Sequence, residues 1–92
     1  MAQTVRLTVH FSGMVQGVGF RYTTARVART FQVTGYVKNL SDGRVELVAE
    51  GESDELSRFR ASVEKAMHGY ISNVEKTTEE AESGFTGFGV RY

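Results

Sequence analysis

From Val5 to Ser12 apolar and polar residues alternate. Val5, Leu7, Val9 and Phe11 fall on one side, and Arg6, Thr8, His10 and Ser12 on the other. That period of two predicts a half-buried strand. The next segment, Gly13-Met14-Val15-Gln16-Gly17-Val18-Gly19, is glycine-rich and reads as a loop. From Phe20 the period changes. Phe20, Thr24, Val27, Ala28 and Phe31 recur at helical spacing, which predicts a helix over 20–32. Thr34 to Leu40 reads as a second strand, rich in β-branched and aromatic residues. Ser41-Asp42-Gly43 forms a tight turn into a third strand, Arg44 to Glu50, whose Val45, Leu47 and Ala49 share a face. Gly51 is expected to end that hairpin.

A second helix follows. Ser53 suits its N-cap, and Asp54 and Glu55 complement the positive end of its dipole. Leu56, Phe59, Val63, Ala66 and Met67 make its apolar stripe, with His68 and Gly69 at its close. Ile71 to Glu79 predicts a fourth strand, Glu80 to Gly84 an acidic connection, and Phe85 to Tyr92 a short fifth strand. The order β-α-β-β-α-β with an added strand predicts a ferredoxin-like, two-layer α+β sandwich. Right-handed crossovers then put both helices on one face of a mainly antiparallel sheet. This fold hosts enzymes, RNA binders and regulatory modules, so it fixes no function.

Composition narrows the chemistry. Ninety-two residues suit a single domain over 1–92. The absence of cysteine excludes disulfides, thiolate catalysis and cysteine-ligated zinc, and fits a reducing cytoplasm. Eleven Lys and Arg balance eleven Asp and Glu, which argues against an overall nucleic-acid or membrane footprint. No apolar run is long enough for a signal peptide or a membrane span. The two histidines, His10 and His68, have no partners for nucleophilic catalysis. His10 reads as structural or solvent-exposed.

The stretch from Gly13 to Arg21 holds the candidate chemistry. Glycines at a strand-to-helix junction let backbone N–H groups converge, and a helix start adds positive dipole density. The loop lacks the Gly-Lys-Ser/Thr ending of a Walker A motif. Tyr22 stands where a dinucleotide fingerprint needs glycine or alanine. A structural turn and an anion cradle are both open readings of such a loop. Arg21 bears on the choice, because a cation in the first turn opposes the helix dipole by about 0.3–1 kcal/mol. It is well placed there if it meets an anion, for which the guanidinium fork is suited. The other reading is a side chain that extends to solvent. Asn39 lies near the end of the second strand, where it either braces the turn or holds a water. Strands one and two run parallel in this topology, so the loop, Arg21 and Asn39 share one end of the sheet.

At these residues the sequence resembles the acylphosphatase family. Gly13-Met14-Val15-Gln16-Gly17-Val18-Gly19-Phe20-Arg21 matches its first motif and Gly35-Tyr36-Val37-Lys38-Asn39 its second. Gly43-Arg44-Val45, Gly51 and the closing Phe88-Gly89-Val90-Arg91-Tyr92 follow at the expected spacings. The resemblance implies a hydrolase that turns an acyl phosphate and water into a carboxylate and inorganic phosphate. It puts the catalytic roles on Arg21 and Asn39. It makes Val15, Gln16, Gly17, Val18, Gly19 and Phe20, with Arg21, the phosphate-binding loop. No cofactor and no metal is implied. Leu40 stands where animal members often carry threonine, so the turn looks bacterial. The expected partner is a small-molecule acyl phosphate, with no nucleic acid and no membrane, acting on a cytoplasmic monomer. Related folds sit inside larger carbamoyl-phosphate-processing proteins. The 92-residue length with both key side chains favours a free-standing enzyme over an anion-binding module. An RNA-binding reading of Gly87 to Tyr92 has the aromatic motif on the wrong strand.

Overall fold

The computed structural model describes residues 3–92. In chain order its elements are β1 (Thr4–Gly13), α1 (Phe20–Ala28), β2 (Thr34–Asn39), β3 (Val45–Glu52), α2 (Ser53–Ala66), β4 (Ile71–Glu80) and β5 (Phe88–Arg91). The strands form one sheet in the order β4-β1-β3-β2-β5. Every neighbouring pair is antiparallel except β2 and β5, which are parallel. This is the ferredoxin-like α+β sandwich that the order of elements predicts.

The period-two pattern sets the core. Leu7, Val9 and Phe11 of β1, Val37 of β2, and Val45, Leu47 and Ala49 of β3 are buried on one face of the sheet. Phe20 and Ala28 of α1 and Leu56, Phe59 and Val63 of α2 close over them. Each large apolar side chain contributes about 1.5–3 kcal/mol by leaving water. Phe59 lies within 5.8 Å of Phe31 and 5.5 Å of Phe88, ring to ring. It therefore anchors β5 from beneath.

Several strand ends shift by one residue, and four boundaries differ for a local reason. The first helix stops at Ala28, because the amides of Arg29, Thr30 and Phe31 turn to carbonyls three residues back. Phe31 still reaches the core, so the apolar spacing outlasts the helix. Gly51 does not end β3. It pairs with Val5, and a Cβ there would lie 3.0 Å from the Gln32 carbonyl, so glycine admits the crossing chain. The second helix is capped at Glu52 with no side-chain cap, and Ser53 is already helical. Glu55 in its first turn accepts the Gln32 amide at 2.8 Å. The fifth strand begins at Phe88, because Phe85 instead covers the helix-free face. Its ring lies 6.0 Å from that of Tyr36 and 4.9 Å from the Arg6 guanidinium.

That helix-free face carries a feature the alternation does not predict. Glu50 points away from the helices yet is only 4 % exposed. Its carboxylate accepts Arg6 Nε at 2.8 Å and the amides of Glu82 and Ser83 at 2.7 and 2.9 Å. It thereby pins the 81–87 connection that leads into β5. Burial pushes the Glu50 carboxyl up, but the Glu82 amide, the Arg6 guanidinium and the Ser83 amide outweigh it and hold it below its ordinary value. A depressed folded value contributes stability above the unfolded pKa, and that contribution is lost as pH falls through the folded one. Glu50→Gln is therefore expected to destabilise the fold by about 1–3 kcal/mol at neutral pH. The gap to wild type should narrow in acid, as read by urea unfolding at both pH values. A gap independent of pH would show that the charge is not what matters.

Candidate active site

Three strands deliver their C-terminal ends to one end of the sheet. Phe11 of β1 and Asn39 of β2 both lie opposite Val45 of β3, and Arg91 of β5 lies opposite Lys38 of β2. The loop after β1 is tied down on both sides. The Met14 amide donates to the Tyr70 carbonyl at 2.9 Å. The Gln16 side chain donates to the carbonyls of Leu40 and Arg44 at 2.8 and 2.9 Å, clasping both strands of the β2–β3 hairpin. Gly17 and Gly19 take left-handed conformations, at φ 79° and 77°. Gly19 is the cap of α1, so its positive φ swings the chain directly into the helix. Phe20 is driven into the core against Phe11, with ring centroids 5.0 Å apart. The first-turn amides of α1 have no intrahelical acceptors and point out of the loop. The first turn carries no acidic residue.

A concavity of about 300 Å³ opens here, lined by Val15, Gly17, Gly19, Phe20, Arg21, Tyr22 and Asn39. The sequence-predicted pair, Arg21 and Asn39, meets in it. Of the predicted loop, Gln16 and Val18 do not line it. The Gln16 side chain is spent on the hairpin, and Val18 packs against the core. Arg21 Nη1 makes one long contact, 3.4 Å to the Arg91 carbonyl, and its guanidinium lies 4.7 Å over the Tyr92 ring. No carboxylate pairs with it among the described residues. Most of the guanidinium's five donors therefore remain open. Across the concavity, Asn39 Oδ1 is buried without a hydrogen-bond partner. Buried acceptors are nearly always satisfied, so this one is poised for something that arrives.

Behind the site, Glu46 Oε1 accepts the Tyr36 hydroxyl at 2.7 Å and Glu46 Oε2 lies 3.0 Å from His10 Nε2. His10 is thus structural. Burial pushes Glu46 up, but the His10 and Tyr36 hydrogen bonds prevail and lower it. Burial, then the bond to Glu46, raises Tyr36. The Arg91 guanidinium stacks 4.0 Å from the Tyr36 ring centroid, fixing the end of β5 whose carbonyl meets Arg21.

Sequence reasoning missed this contribution of Arg91 and Tyr92. It also missed Tyr22, which is 77 % exposed at the rim. One signal was available. The zero net charge conceals a segregation, for residues 1–41 hold five Lys and Arg and no Asp or Glu.

Residues 7–90 match the acylphosphatase family model. The chain belongs to the acylphosphatase family. It is accordingly a hydrolase acting on acyl phosphates. The chain is 47% identical over 92 residues to an acylphosphatase of Rubrobacter xylanophilus, covering 97% of this chain and 82% of that protein. It is 44% identical over 89 residues to an acylphosphatase of Archaeoglobus fulgidus, covering 96% and 99%. Its fold superposes on the crystal structure of acylphosphatase from Bacillus subtilis with a TM-score of 0.85, at 31% identity over 96% of this chain and 99% of that one. The family match spans both ends of the site, from β1 to β5. Among the described residues no helix is long and apolar enough to cross a membrane.

Proposed function

We propose that residues 1–92 act as one catalytic domain in which Arg21 grips the phosphoryl group of an acyl phosphate and Asn39 holds the attacking water. The carrying observation is the pairing of an arginine that has no carboxylate with a buried, unpartnered amide oxygen, at a glycine-capped helix start. The loop amides of Val15 to Phe20 and two guanidinium N–H groups receive the phosphoryl oxygens. Asn39 Oδ1 accepts a hydrogen bond from the water and so aims its lone pair at phosphorus. The water oxygen bonds to phosphorus as the bond to the acyl oxygen breaks, and the electron pair leaves on the carboxylate. The water's proton passes to a phosphoryl oxygen. The products are a carboxylate and inorganic phosphate. Such a transition state is loose, with charge spread over the equatorial oxygens, so positioning and electrostatics supply most of the catalysis. A carboxylate leaves readily, so the protein need provide no strong base or nucleophile. We further propose that it works in the cytoplasm as a monomer, a reducing compartment fitting a sequence without cysteine.

The test separates affinity from rate. Benzoyl phosphate turnover and inhibition by inorganic phosphate are measured with chelator present on wild type, Arg21→Ala and Asn39→Ala. Arg21→Ala should lose both, and Asn39→Ala should lose turnover only. Full kcat in Asn39→Ala would remove the water-holding role.

A further inference from the structure

Four of the eight arginines, Arg6, Arg44, Arg58 and Arg60, pair with carboxylates. The other four, Arg21, Arg26, Arg29 and Arg91, have no carboxylate partner among the described residues. Arg21, Arg26 and Arg29 lie on α1 or at its C-terminal cap, whereas Arg91 of β5 turns its guanidinium over the Tyr36 ring on the helix-free face. A second concavity, of about 390 Å³, runs along the seam between α1 and β5, lined by Tyr22, Ala25, Arg26, Arg29, Phe88, Gly89 and Val90. It shares Tyr22 with the Arg21–Asn39 concavity, so the two open side by side. Its floor is apolar or backbone and its only charges are the two exposed guanidiniums. The C-terminal position of Arg26 and Arg29 on α1 also suits the helix dipole, but that leaves their outward donors free. Along the helix, Arg26 lies about 7.5 Å and Arg29 about 12 Å beyond Arg21. A ligand with its phosphoryl group in the cradle and its acyl part running past Tyr22 along α1 would bring the far end of that acyl part to these cations.

We infer that the seam between α1 and β5 is an acyl-side subsite selecting acyl phosphates whose acyl group carries its own negative charge, held by Arg26 and Arg29 over Tyr22. This rests on the cradle proposed for Arg21 and Asn39. Two solvent-facing cations steer an anion and strengthen its binding modestly, so the expected preference is on the order of tenfold and salt-sensitive.

The test compares 4-carboxybenzoyl phosphate with 4-methylbenzoyl phosphate, which differ in the remote charge and little in the leaving carboxylate. Wild type should show a kcat/KM about tenfold higher for the carboxy substrate, falling toward parity as salt is raised. The double variant Arg26→Gln/Arg29→Gln should lose that preference while keeping its kcat/KM for the methyl substrate. Equal kcat/KM for the two substrates in wild type, or a preference that survives in the double variant, overturns the subsite. Failure of wild type to hydrolyse either substrate would instead overturn the cradle reading.

Discussion

Arg21→Ala is expected to lower kcat/KM for benzoyl phosphate by on the order of 10³–10⁵-fold, the range seen when an arginine is removed from a phosphoryl-transfer site. The size follows from what Arg21 is left free to do. Its contacts within the fold are one 3.4 Å hydrogen bond to the Arg91 carbonyl and a face-on approach to the Tyr92 ring. Neither uses more than part of the guanidinium, which lines the concavity that Asn39 also lines. Those contacts contribute little to stability, so the variant should unfold within about 1 kcal/mol of wild type. Inorganic phosphate, titrated against the unfolding midpoint, should stabilise wild type by mass action and leave Arg21→Ala unmoved. Arg21→Lys should recover part of the binding and less of the rate, because an ammonium supplies charge without the fork. An alanine variant that phosphate still protects would place the anion elsewhere.

Asn39→Ala carries the second-largest effect and a different signature. The kcat should fall by about 10²–10³-fold, typical of losing one positioned hydrogen-bond partner at a reacting centre. The inhibition constant for phosphate should stay within about threefold. Stability should move the other way. A buried acceptor without a partner costs roughly 1–3 kcal/mol of desolvation, so its removal is expected to be neutral or stabilising. A variant that is slower and no less stable marks a group kept for chemistry rather than for folding. Asn39→Asp would put a carboxylate against the phosphoryl group, and its KM should rise as well. A drop in stability matching the drop in rate would assign Asn39 to bracing the turn.

The sheet was legible because the inner faces of β1 and β3 are apolar at every second position. Val5 to Phe11 and Val45 to Ala49 fixed which side faces the helices, and the element order did the rest. The convergence of loop, Arg21 and Asn39 followed from parallel β1 and β2 alone. What escaped had long-range causes. Glu50 reads as an outward polar residue, and only the 81–87 connection folding over it makes it buried. Phe85 reads as strand, yet its ring is drawn to Tyr36 and Arg6. Gln16 sits in the loop motif, but its side chain serves the hairpin, which no local rule announces. Arg91 and Tyr92 lie seventy or so residues from Arg21, beyond the reach of any periodicity.

That separation has a consequence for how activity is acquired. The interior strand β1 pairs on both sides with later chain, Val5 meeting Gly51 on one side and Glu80 on the other. Arg21 is then seated by a carbonyl 70 positions further on. Pairings this remote must close long loops before any contact compensates for the lost entropy, so the chain belongs among slow folders for its size. It contains no proline, so no prolyl isomerisation adds a separate slow phase. Refolding followed by turnover and by backbone signal should coincide, since a half-assembled sheet has no site to offer.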